Sequence, residues 1–245
     1  MNLFGLIGFP LSHSFSKKYF TEKFAKENIQ NCKYELFEIE NINAFPELFQ
    51  KYPELKGLNV TIPHKQAVIP FLDALDKSAE RAGAVNVIKR MPDGTKTGFN
   101  SDYFGFKTSL EKQIQGFSIT DALVLGTGGA SKAVMIALED LGINYTIVSR
   151  KAGLQTISYQ DITKELMEKC HLIVNTTPLG MYPKTEACPD IPYQYITASH
   201  FLYDLVYNPE ETTFMKKGKA AGANVKNGLE MLIGQAEKAW EIWNM

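Results

Sequence analysis

Apolar runs of strand length alternate with amphipathic stretches of helix length along this chain, and the alternation starts twice. In the first half, strands are predicted at 3–8, 34–39 and 58–62, and helices at 16–28, 42–51 and 64–72. Residues 84–89 and 95–98 flank Pro92-Asp93-Gly94, a hairpin signal. A helix at 102–114 leads away. The pattern then restarts with a strand at 122–125, a glycine loop, a helix at 130–141 capped by Gly142, and strands at 144–148, 172–175 and 201–205. A last helix is expected at 229–243. Strands alternating with helices require sheets covered on both faces, so the fold class is α/β with two domains. The hinge is placed near Ser101-Asp102. Residues 1–101 form one domain, joined by the closing helix 228–245, and 102–227 form the other. An active site is expected in a cleft between them.

Composition sets the outer limits. A formal net charge of −1 over 245 residues gives no electrostatic footprint for nucleic acid or an anionic membrane. No apolar run approaches the ~20 residues of a spanning helix. The start, Met1-Asn2-Leu3-Phe4-Gly5, lacks the basic region of a secretion signal. Cys32, Cys170 and Cys188 are scattered and odd in number, as in a reduced, cytoplasmic protein. His13, His64, His171 and His200 have no metal-ligand spacing.

The loop Gly126-Thr127-Gly128-Gly129-Ala130 sits between a strand and a helix. Glycines there let backbone approach a pyrophosphate, and a helix N-terminus favours its charge. The plain alternative is a tight turn with no ligand. Dinucleotide sites that take NAD place a carboxylate after the next strand, ~20 residues on, to bond the ribose hydroxyls. This chain has Ser149-Arg150-Lys151 there instead. A planar guanidinium grips a 2′-phosphate, which points to NADP; a solvated basic tip is the alternative.

In the first half, Gly8–Ser16 ends a strand and opens a helix. Ser14 and Ser16 would cap that helix in the plain reading. Thr61 and Lys65, in Asn59-Val60-Thr61-Ile62-Pro63-His64-Lys65, project from a strand end and a first helical turn into one region. A lysine in a first turn is disfavoured by the helix dipole, which hints at a task, against a solvated lysine as the default.

These segments resemble the shikimate dehydrogenase family. The likeness continues through Ala82–Asn86, Asn100-Ser101-Asp102 with Gly105, the glycine loop, Asn175-Thr176-Thr177-Pro178 with Gly180-Met181, Asp204–Pro209, and Gly228–Leu232 with Gln235, in family order over nearly the whole chain. The resemblance implies an N-terminal substrate domain, a Rossmann-like NADP domain, and reduction of 3-dehydroshikimate to shikimate. It implies that Ser14, Ser16, Thr61 and Tyr207 bond the substrate carboxylate. Asn86, Asp102 and Gln235 would bond the ring hydroxyls, with Lys65 and Asp102 at the reacting oxygen. Gly126, Thr127, Gly128, Gly129 and Ala130 would hold the pyrophosphate, and Ser149, Arg150 and Lys151 the adenosine phosphate. Asn175, Thr176, Thr177, Leu205, Gly228 and Met231 would flank the ribose and nicotinamide. A monomer or homodimer is implied.

The chemistry agrees with these residue types. The cofactor carries the hydride, and the protein supplies orientation and charge. An ammonium steadies a developing alkoxide. An Asn, Asp and Gln set suits a polyhydroxylated ring and rejects deoxy analogues. Two departures stand out. After Lys151 the family's crossover helix is reduced to residues 152–156 with Gly153, which bears on NADP affinity, and the chain ends soon after Trp243. Two rivals stay open: a quinate/shikimate dehydrogenase with relaxed substrate or NAD use, which Thr61, Tyr207 and Gln235 fit equally, and a non-catalytic nucleotide-sensing relative. Trp240 and Trp243 are read as packing, Cys170 as buried.

Overall fold

The computed structural model describes residues 1–11 and 14–245. Ser12 and His13, inside the serine motif, lie outside the described residues. The chain divides into two compact units, Met1–Ser101 with Ala236–Met245, and Asp102–Gln235.

The first unit is built on β1 (Asn2–Gly8), α1 (Phe15–Lys26), β2 (Cys32–Glu38), α2 (Phe45–Lys51), β3 (Leu55–Val60), α3 (His64–Ala67), β4 (Ala74–Leu75), α4 (Lys77–Ala82), β5 (Val87–Arg90) and β6 (Lys96–Phe99). Its six strands run in the order β2-β1-β3-β5-β6-β4. β1 is parallel to β2 and β3, whereas β5 is antiparallel to both β3 and β6. The hairpin turn is held by Asp93, whose carboxylate accepts from Thr95 N at 3.0 Å, and Gly94 takes φ +89. The expected helix 64–72 is shorter than its pattern. It is α-helical only over His64–Ala67, followed by a 3₁₀ turn at Ile69–Phe71. Pro70 has no N–H to give to the carbonyl of Gln66, so the α ladder stops.

The second unit contains α5 (Asp102–Gln113), β7 (Asp121–Leu125), α6 (Gly129–Asp140), β8 (Asn144–Ser149), β9 (Thr156–Ser158), α7 (Lys164–Lys169), β10 (Leu172–Asn175), β11 (Phe201–Asp204), α8 (Thr213–Ala220) and β12 (Asn224–Lys226). All its strands are parallel, in the order β12-β11-β10-β7-β8-β9. Both faces of this sheet are covered, which is why β7 reads as an unbroken apolar run after Asp121. The order reverses between β7 and β10, and ligands of such sheets bind at the carboxyl ends of the strands at that switch point. β9 follows β8 through residues 150–155 without a helix, and Leu154 is fully exposed.

α9 (Leu229–Asn244) closes the chain. The expectation put 228–245 entirely with the first unit; residues up to Gln235 belong to the second. The reason is packing. Met231 lies in the core with Phe106 and Tyr203, and a Cβ on Gly105 of α5 would lie 2.5 Å from Met231 O and 2.8 Å from Gln235 N. The later turns, Ala236, Ala239, Ile242 and Trp243, join Phe4, Phe20 and Tyr34. Trp243 stacks on Phe4 at 4.8 Å and donates Nε1–H to Ile88 O at 3.0 Å. Lys23 of α1 bonds Glu237 at 2.7 Å. Burial alone would raise the Glu237 carboxyl, but Lys23 and Tyr19 hold it below the usual carboxylate range.

Candidate active site

In the first unit, three segments converge at the carboxyl ends of β1 and β3. Gly8 ends β1 where a Cβ would strike Thr61 Cγ2 at 2.4 Å, so glycine lets the two chain segments touch. Thr61 N donates to Ile7 O and Phe9 N to Ile62 O, tying the serine loop to the threonine loop. Ser14 occupies the N-cap position of α1, yet its hydroxyl makes no cap bond. Its Oγ is buried without a hydrogen-bond partner among the described residues. A buried hydroxyl with nothing to bond is costly, so capping does not account for Ser14. Ser16 bonds the buried Tyr34 phenol. Tyr34 donates onward to Asn59 Oδ1 at 2.7 Å, and Asn59 Nδ2 donates to Asn86 O.

Lys65 is half-buried in α3, and its carbonyl accepts Val85 N at 2.7 Å. Because α3 is so short, the helix dipole says little about why a lysine stands there. Asn86 is buried, and Ser101 fixes its amide: Ser101 N donates to Asn86 Oδ1 at 2.7 Å, and Asn86 Nδ2 donates to Ser101 Oγ at 3.0 Å. Ser101 and Tyr34 had no assigned role in the sequence; their tasks depend on partners 15 or more positions away.

In the second unit, Asp102 opens α5 and is buried. Gln235 lies on α9 opposite Gly105. The glycine loop follows β7 at the switch point. Gly126 takes φ +113, and a Cβ on it would lie 2.7 Å from Thr176 Oγ1. Only glycine fits, and it brings the Asn175–Thr177 turn against the loop. A Cβ on Gly128 or Gly129 would meet nothing within 4 Å. Gly128 caps α6 without a side-chain bond; Ser131 N–H turns back to Gly128 O at 3.1 Å, which leaves the Gly129 and Ala130 N–H groups for a ligand. That cradle fits a pyrophosphate.

Ser149 ends β8, and Arg150 and Lys151 follow as exposed residues. Neither has an acidic partner among the described residues. The cations are thus uncommitted, as a 2′-phosphate site requires. The turn at Asn175 is tightly held: Asn175 Oδ1 accepts Thr177 N at 3.0 Å and Thr177 Oγ1 at 2.6 Å. Thr176 Oγ1 donates to Leu125 O at 2.7 Å. Gly228 presses on Leu205, where a Cβ would lie 2.1 Å from Leu205 O. Tyr207 is half-buried, and burial raises its phenol. Met231 is 8% exposed and belongs chiefly to the core.

Comparisons with known proteins identify the family. Residues 6–88 match the family described as shikimate dehydrogenase substrate binding domain. A Shikimate dehydrogenase (NADP(+)) of Clostridium beijerinckii is 41% identical, over 99% of this chain and 92% of its own. The chain belongs to the shikimate dehydrogenase family. A Shikimate dehydrogenase (NADP(+)) of Methanosphaera stadtmanae is 37% identical over 98% of this chain and 90% of its own. Among solved structures, the shikimate 5-dehydrogenase of Listeria monocytogenes in complex with shikimate and NAD has TM-score 0.89 and 27% identity, covering 100% of this chain and 92% of that one. The quinate dehydrogenase of Corynebacterium glutamicum in complex with NAD has TM-score 0.88 and 25% identity, covering 99% and 93%.

Among the described residues no His, Cys, Asp or Glu cluster could hold a metal, and no helix is long and apolar enough to cross a membrane. Cys170 is buried, which pushes its thiol up to about 11.

Proposed function

We propose that this protein is an oxidoreductase that interconverts 3-dehydroshikimate and shikimate with NADP(H). The observation that carries this reading is the 41% identity to an NADP-dependent shikimate dehydrogenase over 99% of the chain. When bound, the nicotinamide supplies or accepts the hydride. The protein's own residues do the rest.

Ser14, Ser16, Thr61 and Tyr207 bond the substrate carboxylate. The Ser14 hydroxyl, which has no partner among the described residues, supports this, because the carboxylate offers it a bond. Asn86, Asp102 and Gln235 bond the ring hydroxyls, and Ser101 keeps the Asn86 amide in one orientation. Lys65 donates to the reacting oxygen and offsets the charge that develops there, with Asp102 contacting the same oxygen. The amides of Gly126, Thr127, Gly128, Gly129 and Ala130 receive the pyrophosphate. Ser149, Arg150 and Lys151 receive the 2′-phosphate. Asn175, Thr176, Thr177, Leu205, Gly228 and Met231 border the ribose and nicotinamide. We place the protein in the cytoplasm, as a monomer or homodimer that needs neither nucleic acid nor a membrane.

The test is NADPH consumption on adding 3-dehydroshikimate, with the product identified by chromatography. Equimolar shikimate is expected. Folded protein that consumes no NADPH overturns the reading in favour of a nucleotide-binding relative.

A further inference from the structure

The Asp204 carboxylate is a buried charge for which the reaction above has no task. It ends β11 in the middle of an apolar run and is 0% exposed. Three chain segments converge on it. Its Oδ1 accepts Asn175 Nδ2 at 2.9 Å and Val206 N at 3.0 Å, and its Oδ2 accepts Thr212 Oγ1 at 2.5 Å. Charge-assisted bonds of this kind are short and strong. A buried carboxylate is nevertheless costly, and apolar packing of the same volume would often be as stable. Its presence therefore calls for a reason other than stability.

The contacts supply one. Asn175 has its amide set from both ends. Its Oδ1 is taken by Thr177 and its Nδ2 is aimed at Asp204. The turn so fixed rests against Gly126 through Thr176. The Val206 N–H belongs to the peptide bond that follows Leu205, one residue before Tyr207, and Gly228 closes on Leu205 O. One carboxylate thus ties the Asn175–Thr177 turn to the Leu205–Tyr207 turn.

We infer that Asp204 is a positioning residue for the cofactor, holding these two turns in the arrangement that receives the nicotinamide ribose. Asp204 touches neither cofactor nor substrate and acts through Asn175 and the Val206 N–H. The inference rests on the proposal above that these turns border NADP.

The test is a titration of NADPH by its own fluorescence into the intact parent protein, Asp204→Ala and Asp204→Asn, with kcat measured alongside. Asp204→Ala releases both turns and is expected to weaken NADPH binding at least tenfold and to lower kcat. Asp204→Asn keeps an oxygen for Asn175 and Val206 and an N–H for Thr212, and is expected to stay within about threefold of the parent. Parent-like binding by Asp204→Ala overturns the assignment. So does an Asp204→Asn protein as weak as Asp204→Ala, because the loss would then follow the charge rather than the held turns. Where Asp204→Ala does not fold, Thr212→Val removes the Oδ2 tie together with the hydroxyl cap on Met215 N at the start of α8, and should weaken NADPH three- to tenfold while Thr212→Ser, which keeps both bonds, stays parent-like; no change in Thr212→Val overturns the assignment. A parent protein that fails to bind NADPH overturns the cofactor reading and this inference together, whereas equal binding by parent and variant overturns this inference alone.

Discussion

Arg150→Ala isolates the group that separates NADP from NAD. Arg150 follows β8 as an exposed side chain with no acidic partner among the described residues, so its loss breaks no ion pair. What it removes is a charge-assisted hydrogen-bonding fork to the 2′-phosphate. Bonds to charged groups contribute about 1.5–3 kcal/mol. At 1.4 kcal/mol per tenfold, that is roughly 10- to 150-fold in NADP affinity. Two features favour the lower end. Lys151 stays as a second exposed cation, and the link 150–155 contains no helix to exclude water. The contact is therefore screened over a Debye length of about 10 Å at 0.1 M salt, and the NADP penalty should shrink as salt rises. The assay is Kd by fluorescence titration for NADPH and NADH side by side, at two salt concentrations. NADH binding should stay within about twofold. Equal losses for both cofactors, or no loss for either, would show that Arg150 does not hold the 2′-phosphate.

Lys65→Ala should lower kcat by at least a hundredfold while the KM for 3-dehydroshikimate changes far less; a raised KM with unchanged kcat would make Lys65 a binding residue only. Gly57→Ala should destabilise the protein by about 1–3 kcal/mol in urea unfolding, because its Cβ would lie 2.2 Å from Trp243 Nε1 in a filled core; parent-like stability would contradict that packing. Asp204→Asn should change the pH dependence of stability. Burial raises the Asp204 carboxyl to about 6, only partly offset by Thr212, the Val206 N–H and Asn175. The native state therefore binds this proton more tightly than the unfolded chain, and the group costs stability as pH rises from about 4 to about 6. The stability advantage of Asp204→Asn over the parent should grow across that window, by up to about 3 kcal/mol, and be level above it; a constant difference would contradict the assignment.

The sequence made the α/β alternation legible because buried parallel strands leave unbroken apolar runs, and β10 falls at residues 172–175 as read. The missing crossover helix was legible too, since 152–156 contains Gly153 and no helical period. Short elements escaped: β4, α4, α7 and β12 are too brief to show a period above the surrounding loops, and α8 was missed although Phe214, Met215 and Gly218 mark its buried stripe. The helix read at 64–72 failed at Pro70, a local rule outweighed by an apolar pattern. In α9 one helical stripe serves two cores, which a pattern of apolar positions does not divide. Site residues were named from the family likeness, but what holds them was not. Asn175 meets Asp204 across 29 positions, and Asn86 meets Ser101 across 15. Only folding brings such pairs together. One signal was present for Asp204, a carboxylate between apolar residues at 201–206.

Initial rates of nicotinamide reduction for shikimate and quinate, each with NADP and with NAD, separate an NADP-dependent shikimate dehydrogenase from its quinate-accepting or NAD-using relatives. A kcat/KM for shikimate with NADP at least tenfold above the other three pairs is expected. Comparable rates on quinate, or a preference for NAD, would contradict it.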